Sequence, residues 1–109
     1  MNDSVNLANL REMTGGDVEM EKELFEVFIS SSEEAIASLS ANILPETSET
    51  WRKQAHALKG ISLSLGAEKL GDLCKKAQEC FQNTAETKAK MVADIKKEYE
   101  RVKSYLKEL

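Results

Sequence analysis

One histidine stands in the chain, His56, within the run Trp51-Arg52-Lys53-Gln54-Ala55-His56-Ala57-Leu58-Lys59-Gly60. On a helix, offsets of three and four residues fall on one side, so Lys59 and Gly60 would be neighbours of the imidazole. Imidazole is partly neutral near pH 7, so it can attack phosphorus without a strong base to deprotonate it. A lysine beside it would disfavour the protonated ring and then hold phosphoryl oxygens as a point charge. A mid-helix glycine costs about 1 kcal/mol relative to alanine, and the space it leaves lets the backbone of another molecule approach. None of the three is diagnostic alone. A single helical His is more often solvated or partly buried, a Lys a solvated charge, and a Gly a packing device. Together they describe a histidine suited to taking a phosphoryl group from another protein.

The run that follows, Ile61-Ser62-Leu63-Ser64-Leu65-Gly66-Ala67-Glu68-Lys69-Leu70-Gly71-Asp72-Leu73-Cys74, makes the pattern specific. The stretch from Ala55 to Cys74 resembles the signature of histidine-containing phosphotransfer (HPt) domains, the relay modules of multistep two-component signalling. The matching elements are Ala55-His56, Leu58-Lys59-Gly60, a small Ser62, Leu65-Gly66-Ala67, Leu70 and Cys74. Gly15-Gly16-Asp17, followed by Leu24 and Phe28, resembles the opening of bacterial members. The resemblance covers nearly the whole chain and is strongest around His56. The chain departs from it at Ile61 and Leu63, bulkier than the small residues common there, and at Ser64, where Asn is frequent. No departure removes a chemical group from the site. Leu63, seven residues after His56, lies on the same face and would sharpen or narrow the choice of partner.

What the resemblance implies is a phosphorelay intermediate: Nε2 of His56 attacks a receiver-domain aspartyl phosphate, and the phosphoryl group then passes to another receiver aspartate. Lys59 is the expected phosphoryl stabiliser. Gln78 matches a position where some relatives place a hydrogen-bonding Gln near the histidine, and a solvated polar side chain is an equal reading of it. Arg52, Gly60 and Leu63, on the side of His56, are the expected docking residues. Cofactors are expected to be absent, with Mg²⁺ supplied by the receiver. The implied partners are response-regulator receiver domains and a hybrid sensor histidine kinase, met by a monomer without autonomous kinase activity. The alternative is a non-phosphorylated helical adaptor that binds and regulates a receiver or a histidine kinase. Retention of His56, Lys59 and Gly60 together weighs against it, because binding alone has no chemical use for all three.

Composition bounds the remaining classes. At 109 residues the chain is expected to form one HPt-like domain over residues 1–109, too short to hold a kinase domain beside it. The glycines at 15, 16, 60, 66 and 71 make no nucleotide-binding loop, so a phosphate on His56 must come from a partner. No second acid, base or metal cluster accompanies the one His, which argues against an independent enzyme. Cys74 and Cys80, six residues apart, do not share a helix face, and a zinc site is not expected. They fall in the series Leu70, Leu73, Cys74, Ala77, Cys80, Phe81 and read as reduced core thiols. Met1-Asn2-Asp3-Ser4 opens neither a signal peptide nor a membrane span, so a cytoplasmic location is expected, and the initial Met favours a free-standing protein.

Charge is unevenly spread. Two basic residues stand against eleven acidic ones up to position 50, six against two from 51 to 76, and seven against six thereafter, for a net charge of −4. The His56 segment is the positive one and would steer an acidic, metal-bearing partner toward it. Overall acidity and few aromatics near the basic residues argue against nucleic acid.

The elements that must position these residues read as helical throughout. A short first helix over Val5 to Met13, presenting Leu7, Leu10 and Met13, should end at Thr14-Gly15-Gly16. The second should run from an Asp17 cap to about Asn42, with Leu24, Phe25, Phe28, Ile29, Ala35, Ile36, Leu39 and Ile43 at helical spacing. Leu44-Pro45-Glu46 breaks the chain, and Thr47 or Ser48 should cap a third helix that stops at Gly66. Trp51, Ala55, Leu58, Ser62 and Leu65 form its inward stripe, with His56 beside it and partly exposed. A fourth helix is predicted from Ala67 to Gln82, and an Asn83–Glu86 capping box for a fifth. That last helix should bury Met91 or Val92, Ile95, Tyr99, Val102, Leu106 and Leu109. The predicted fold is all-α: an antiparallel up-down four-helix bundle with a short additional N-terminal helix.

Overall fold

A computed structural model describes residues 8–108. They form five α-helices: α1 (Ala8–Thr14), α2 (Val18–Ala41), α3 (Ser48–Leu65), α4 (Glu68–Glu79) and α5 (Ala85–Glu108). No strand occurs among the described residues. Consecutive long helices pack on one another, and α5 closes the ring on α2. The directions alternate: early Trp51 meets late Ala77 while late Leu63 meets early Gly71, so α3 and α4 are antiparallel. The all-α bundle expected from apolar periodicity is the observed fold. Expected positions Val5, Leu7 and Leu109 lie outside the described residues, as do the side chains of Leu10 and Met13.

Helix boundaries follow local chemistry. Asp17 caps α2 as expected, its carboxylate accepting from the Met20 N–H at 3.1 Å. At the other end Asn42 Nδ2 donates to the Ser38 carbonyl at 2.6 Å. The third helix departs from expectation at its start. A 3₁₀ turn at Pro45–Thr47 leads into α3, and neither candidate cap acts as one. The Thr47 hydroxyl donates back to the Leu44 carbonyl and the Ser48 hydroxyl to that of Pro45, so neither hydroxyl accepts from an α3 amide.

Gly66 ends α3 at φ 92°, with its N–H on the Leu63 carbonyl and that of Ala67 on Ser62. That pair of bonds closes the helix with a left-handed residue, a conformation costly to any residue with a Cβ. The fourth helix is shorter than predicted, ending at Glu79 rather than near Gln82. The Asn83 N–H turns back to the Cys80 carbonyl, and Phe81 packs against the core from this turn. With Asn83 spent there, its predicted capping box with Glu86 does not form. Thr84 caps α5 instead, its Oγ1 accepting from the Thr87 N–H at 3.1 Å.

The core lies where the four long helices converge. All five stripe residues of α3 are buried, facing Phe25, Phe28, Ala35, Ile36 and Leu39 of α2, Ala67 just before α4, and Leu70, Cys74 and Ala77 of α4. From α5 come Val92, Ile95, Tyr99, Val102 and Leu106, and Met91 is only partly buried. Leu24 of α2 is exposed rather than inward, because it lies off the Phe25–Phe28 side of its helix. Both cysteines are free thiols, Cys74 buried and Cys80 partly so. Burial pushes the Cys74 thiol up to about 12.

Directional bonds fix the register between helices. Trp51 Nε1 donates to the Ala77 carbonyl at 2.7 Å, satisfying a buried donor across α3 and α4. The Tyr99 hydroxyl donates to Glu33 Oε2 at 2.7 Å, and Lys103 Nζ reaches the same oxygen at 2.8 Å, joining α5 to α2. These two donors hold the Glu33 carboxyl below the usual carboxylate range. Lys88, fully buried at the start of α5, was not anticipated in the core. Its ammonium lies 5.4 Å from the Trp51 ring and 3.3 Å from Ser48 Oγ, and burial lowers its pKa.

Candidate functional site

The site occupies the side of α3 that faces α4 and solvent. The inward stripe of α3 places Ala55 against the core and leaves His56, the next residue, exposed. Gln78 of α4 comes to it across the helix pair, with Nδ1 of His56 and Oε1 of Gln78 3.3 Å apart. An amide oxygen only accepts, so the contact is a hydrogen bond in the tautomer that carries its proton on Nδ1. That tautomer leaves the lone pair on Nε2. The sequence left Gln78 between a solvated residue and a histidine partner, and the fold brings it to the histidine.

One turn further, Lys59 is half-buried and has no hydrogen-bond or ion-pair partner among the described residues. Its three-residue offset puts it on the same side as the imidazole. Gly60 is exposed, and a Cβ built on it meets nothing within 4 Å. The bare surface next to His56 is therefore open to solvent and is not a helix-packing notch.

Arg52, one turn before His56, is half-buried, and its guanidinium is engaged by Glu49 on the same helix. That pair raises the arginine pKa and lowers that of the carboxyl. Leu63 is 48% exposed but does not stand free, because its isobutyl group lies over Gly71 of α4. Sequence reasoning grouped His56, Lys59, Gly60 and Leu63 on one side, and the fold keeps them together. It missed Gly71, whose only signal was a glycine inside the fourth helix eight residues after a bulky, outward leucine. Among the described residues no group of three or more His, Cys, Asp or Glu could hold a metal ion.

Residues 23–105 match the family model of the Hpt domain, a span that includes His56, Lys59, Leu63, Gly71 and Gln78. The chain belongs to the Hpt-domain family. No match was found among the curated proteins or among the solved structures. Members of this family are phosphotransfer modules, not kinases, and act with receiver domains and kinases in two-component phosphorelays. No helix of the described residues is long and apolar enough to cross a membrane.

Proposed function

We propose that this protein is a phosphorelay intermediate that accepts a phosphoryl group on Nε2 of His56 from a receiver aspartyl phosphate and returns it to another receiver aspartate. The observation that carries the reading is the Gln78 contact at Nδ1, which leaves an outward lone pair on an exposed ring. In the forward step the Nε2 lone pair forms the N–P bond while the P–O bond to the aspartate breaks and returns its electron pair to the carboxylate. Nδ1 keeps its proton and donates it to Gln78. The reverse of the same exchange, on a second receiver, discharges the histidine.

Lys59 supplies a cation to the phosphoryl oxygens, and the receiver brings the Mg²⁺ that neutralises the rest of the charge. Gly60 lets the receiver backbone come close, and Arg52 with Leu63 flanks the contact. The transfer requires no nucleotide, since the group arrives already activated as an acyl phosphate. A binding-only adaptor would have no use for an exposed imidazole whose tautomer is set by a partner and whose neighbouring cation is unpaired.

The test is incubation with a panel of purified receiver domains charged with phosphate. The wild-type chain should acquire acid-labile, base-stable phosphate. His56→Gln should acquire none while its circular dichroism and melting stay close to wild type, because an exposed polar replacement disturbs little packing. Labelling of the folded variant would assign the phosphoacceptor elsewhere.

A further inference from the structure

The leucine beside the site is held in place by an absence. A Cβ built on Gly71 would lie 2.5 Å from Cδ2 of Leu63 and 2.9 Å from its Cγ, and the three nearest atoms all belong to that one side chain. Gly71 is buried at the end of the first turn of α4, and within a helix glycine is the poorest former after proline. The space its missing side chain leaves is filled by Leu63. The leucine is nevertheless 48% exposed, so one side rests in the notch and the other faces solvent.

Its place on α3 gives that posture a consequence. Leu63 is two turns beyond His56 on the same side, about 10 Å along the axis, and bare Gly60 lies between them. A partner reaching the imidazole passes over Gly60 and meets Leu63 as the next relief on the surface. Seated on Gly71, the leucine offers a low apolar face already fixed in one orientation, so little ordering entropy is lost when it is covered. Displaced from the notch, it would swing outward beside the approach to His56.

We propose that Leu63 is a specificity-determining residue of the receiver-docking face and that Gly71 is its positioning residue. The complementary partner is a receiver domain with an apolar patch beside its phosphorylated aspartate. The assignment rests on the phosphorelay reading above and adds to it a pair of residues acting as one unit across α3 and α4.

Three variants test it: Gly71→Ala, Leu63→Ala and the double variant. Each is measured for melting temperature, for Kd with the receiver that labels the wild type fastest or, without labelling, binds it tightest, and for the transfer rate at saturating receiver. Gly71→Ala should weaken receiver binding about tenfold with the saturated transfer rate close to wild type. Leu63→Ala should bind more weakly and discriminate less among receivers. The double variant should bind like Leu63→Ala alone, because a Cβ at position 71 has nothing left to displace.

Wild-type affinity in Gly71→Ala overturns the proposal. So does a Gly71→Ala loss that persists undiminished in the Leu63→Ala background, which would make Gly71 a spacer between helices. If the wild type binds receivers without being labelled on His56, the phosphoacceptor reading fails while the affinities still decide the Leu63–Gly71 pair. If labelling proceeds and the variants bind alike, the pair fails and the phosphoacceptor reading stands. Neither binding nor labelling with any receiver removes both.

Discussion

At His56 one hydrogen bond divides the labour of the two ring nitrogens. Gln78 Oε1 can only accept, so the contact favours the tautomer with its proton on Nδ1 and its lone pair on Nε2. The buried thiol of Cys74 is the opposite case, a nucleophile type kept inert by its surroundings. Desolvation lifts it from 9.0 to about 12, so the native chain holds this proton where the unfolded chain has lost it. Stability from this group is therefore intact below pH 9 and declines as pH rises from there toward 12. Urea titrations at pH 8 and pH 10.5 should show a larger loss for wild type than for Cys74→Ala. Under native conditions a thiol reagent should modify partly buried Cys80 first, with Cys74 reacting only on unfolding, as read by mass spectrometry of the labelled peptides.

Along α3 and its C-cap, two glycines should respond to the same substitution with opposite signs. Gly60 has no positive φ and faces open space, so Gly60→Ala removes a helix-propensity penalty and should raise stability by up to about 1 kcal/mol. Gly66 sits at φ 92°, where a Cβ meets the following carbonyl, so Gly66→Ala should cost about 1–2 kcal/mol. Denaturant midpoints of the two variants would be compared directly, and equal shifts would contradict the assignment of their roles. The α3–α5 contact gives another contrast. Lys88 fills volume over Trp51 but buries an ammonium with one hydroxyl partner. Lys88→Met keeps the volume and should stay within about 1.5 kcal/mol of wild type. Lys88→Ala leaves a cavity and should lose about 2 kcal/mol or more by the same measurement.

Over the whole molecule the charges separate by element. The acidic residues concentrate before position 50, and α2 carries most of them, whereas the segment from 51 to 76 carries six bases against two acids. That basic segment spans most of α3 and most of α4, the pair that carries His56 and Gln78. An acidic receiver should be drawn to this side and repelled from α2, an effect that would weaken as the Debye length shrinks from about 10 Å at 0.1 M salt to about 3 Å at 1 M. Stopped-flow association with a receiver should therefore slow several-fold between these salt concentrations, while transfer within the formed complex changes little. Charge reversal at exposed Lys53 and Lys75 should flatten the salt dependence, because both lie on these helices outside the core. An association rate indifferent to salt would remove electrostatic steering from the account.

Local rules were enough to read the bundle and the side of the helix that carries the chemistry. Apolar spacing marked the inward stripe of α3 residue by residue, and that stripe leaves His56, Lys59, Gly60 and Leu63 on the accessible side. The Asp17 cap and the Gly66 stop were legible for the same reason, since each depends on atoms within a few residues. Where two local devices competed, the reading slipped. Asn83 was spent on the turn after α4, Thr84 took the cap, and the hydroxyls of Thr47 and Ser48 turned back to the preceding carbonyls. Contacts between distant segments had no periodic signature. Lys88 looks like any surface lysine until Trp51 and Ser48 are packed around it. Gln78 and Gly71 acquire meaning only when α4 lies antiparallel to α3, which brings one to the imidazole and the other beneath Leu63. The sequence by itself determined which residue is the candidate for the chemistry and which way its helix faces. Tertiary packing decided the partner of the imidazole and the posture of the neighbouring leucine, because both depend on the distance between two helices.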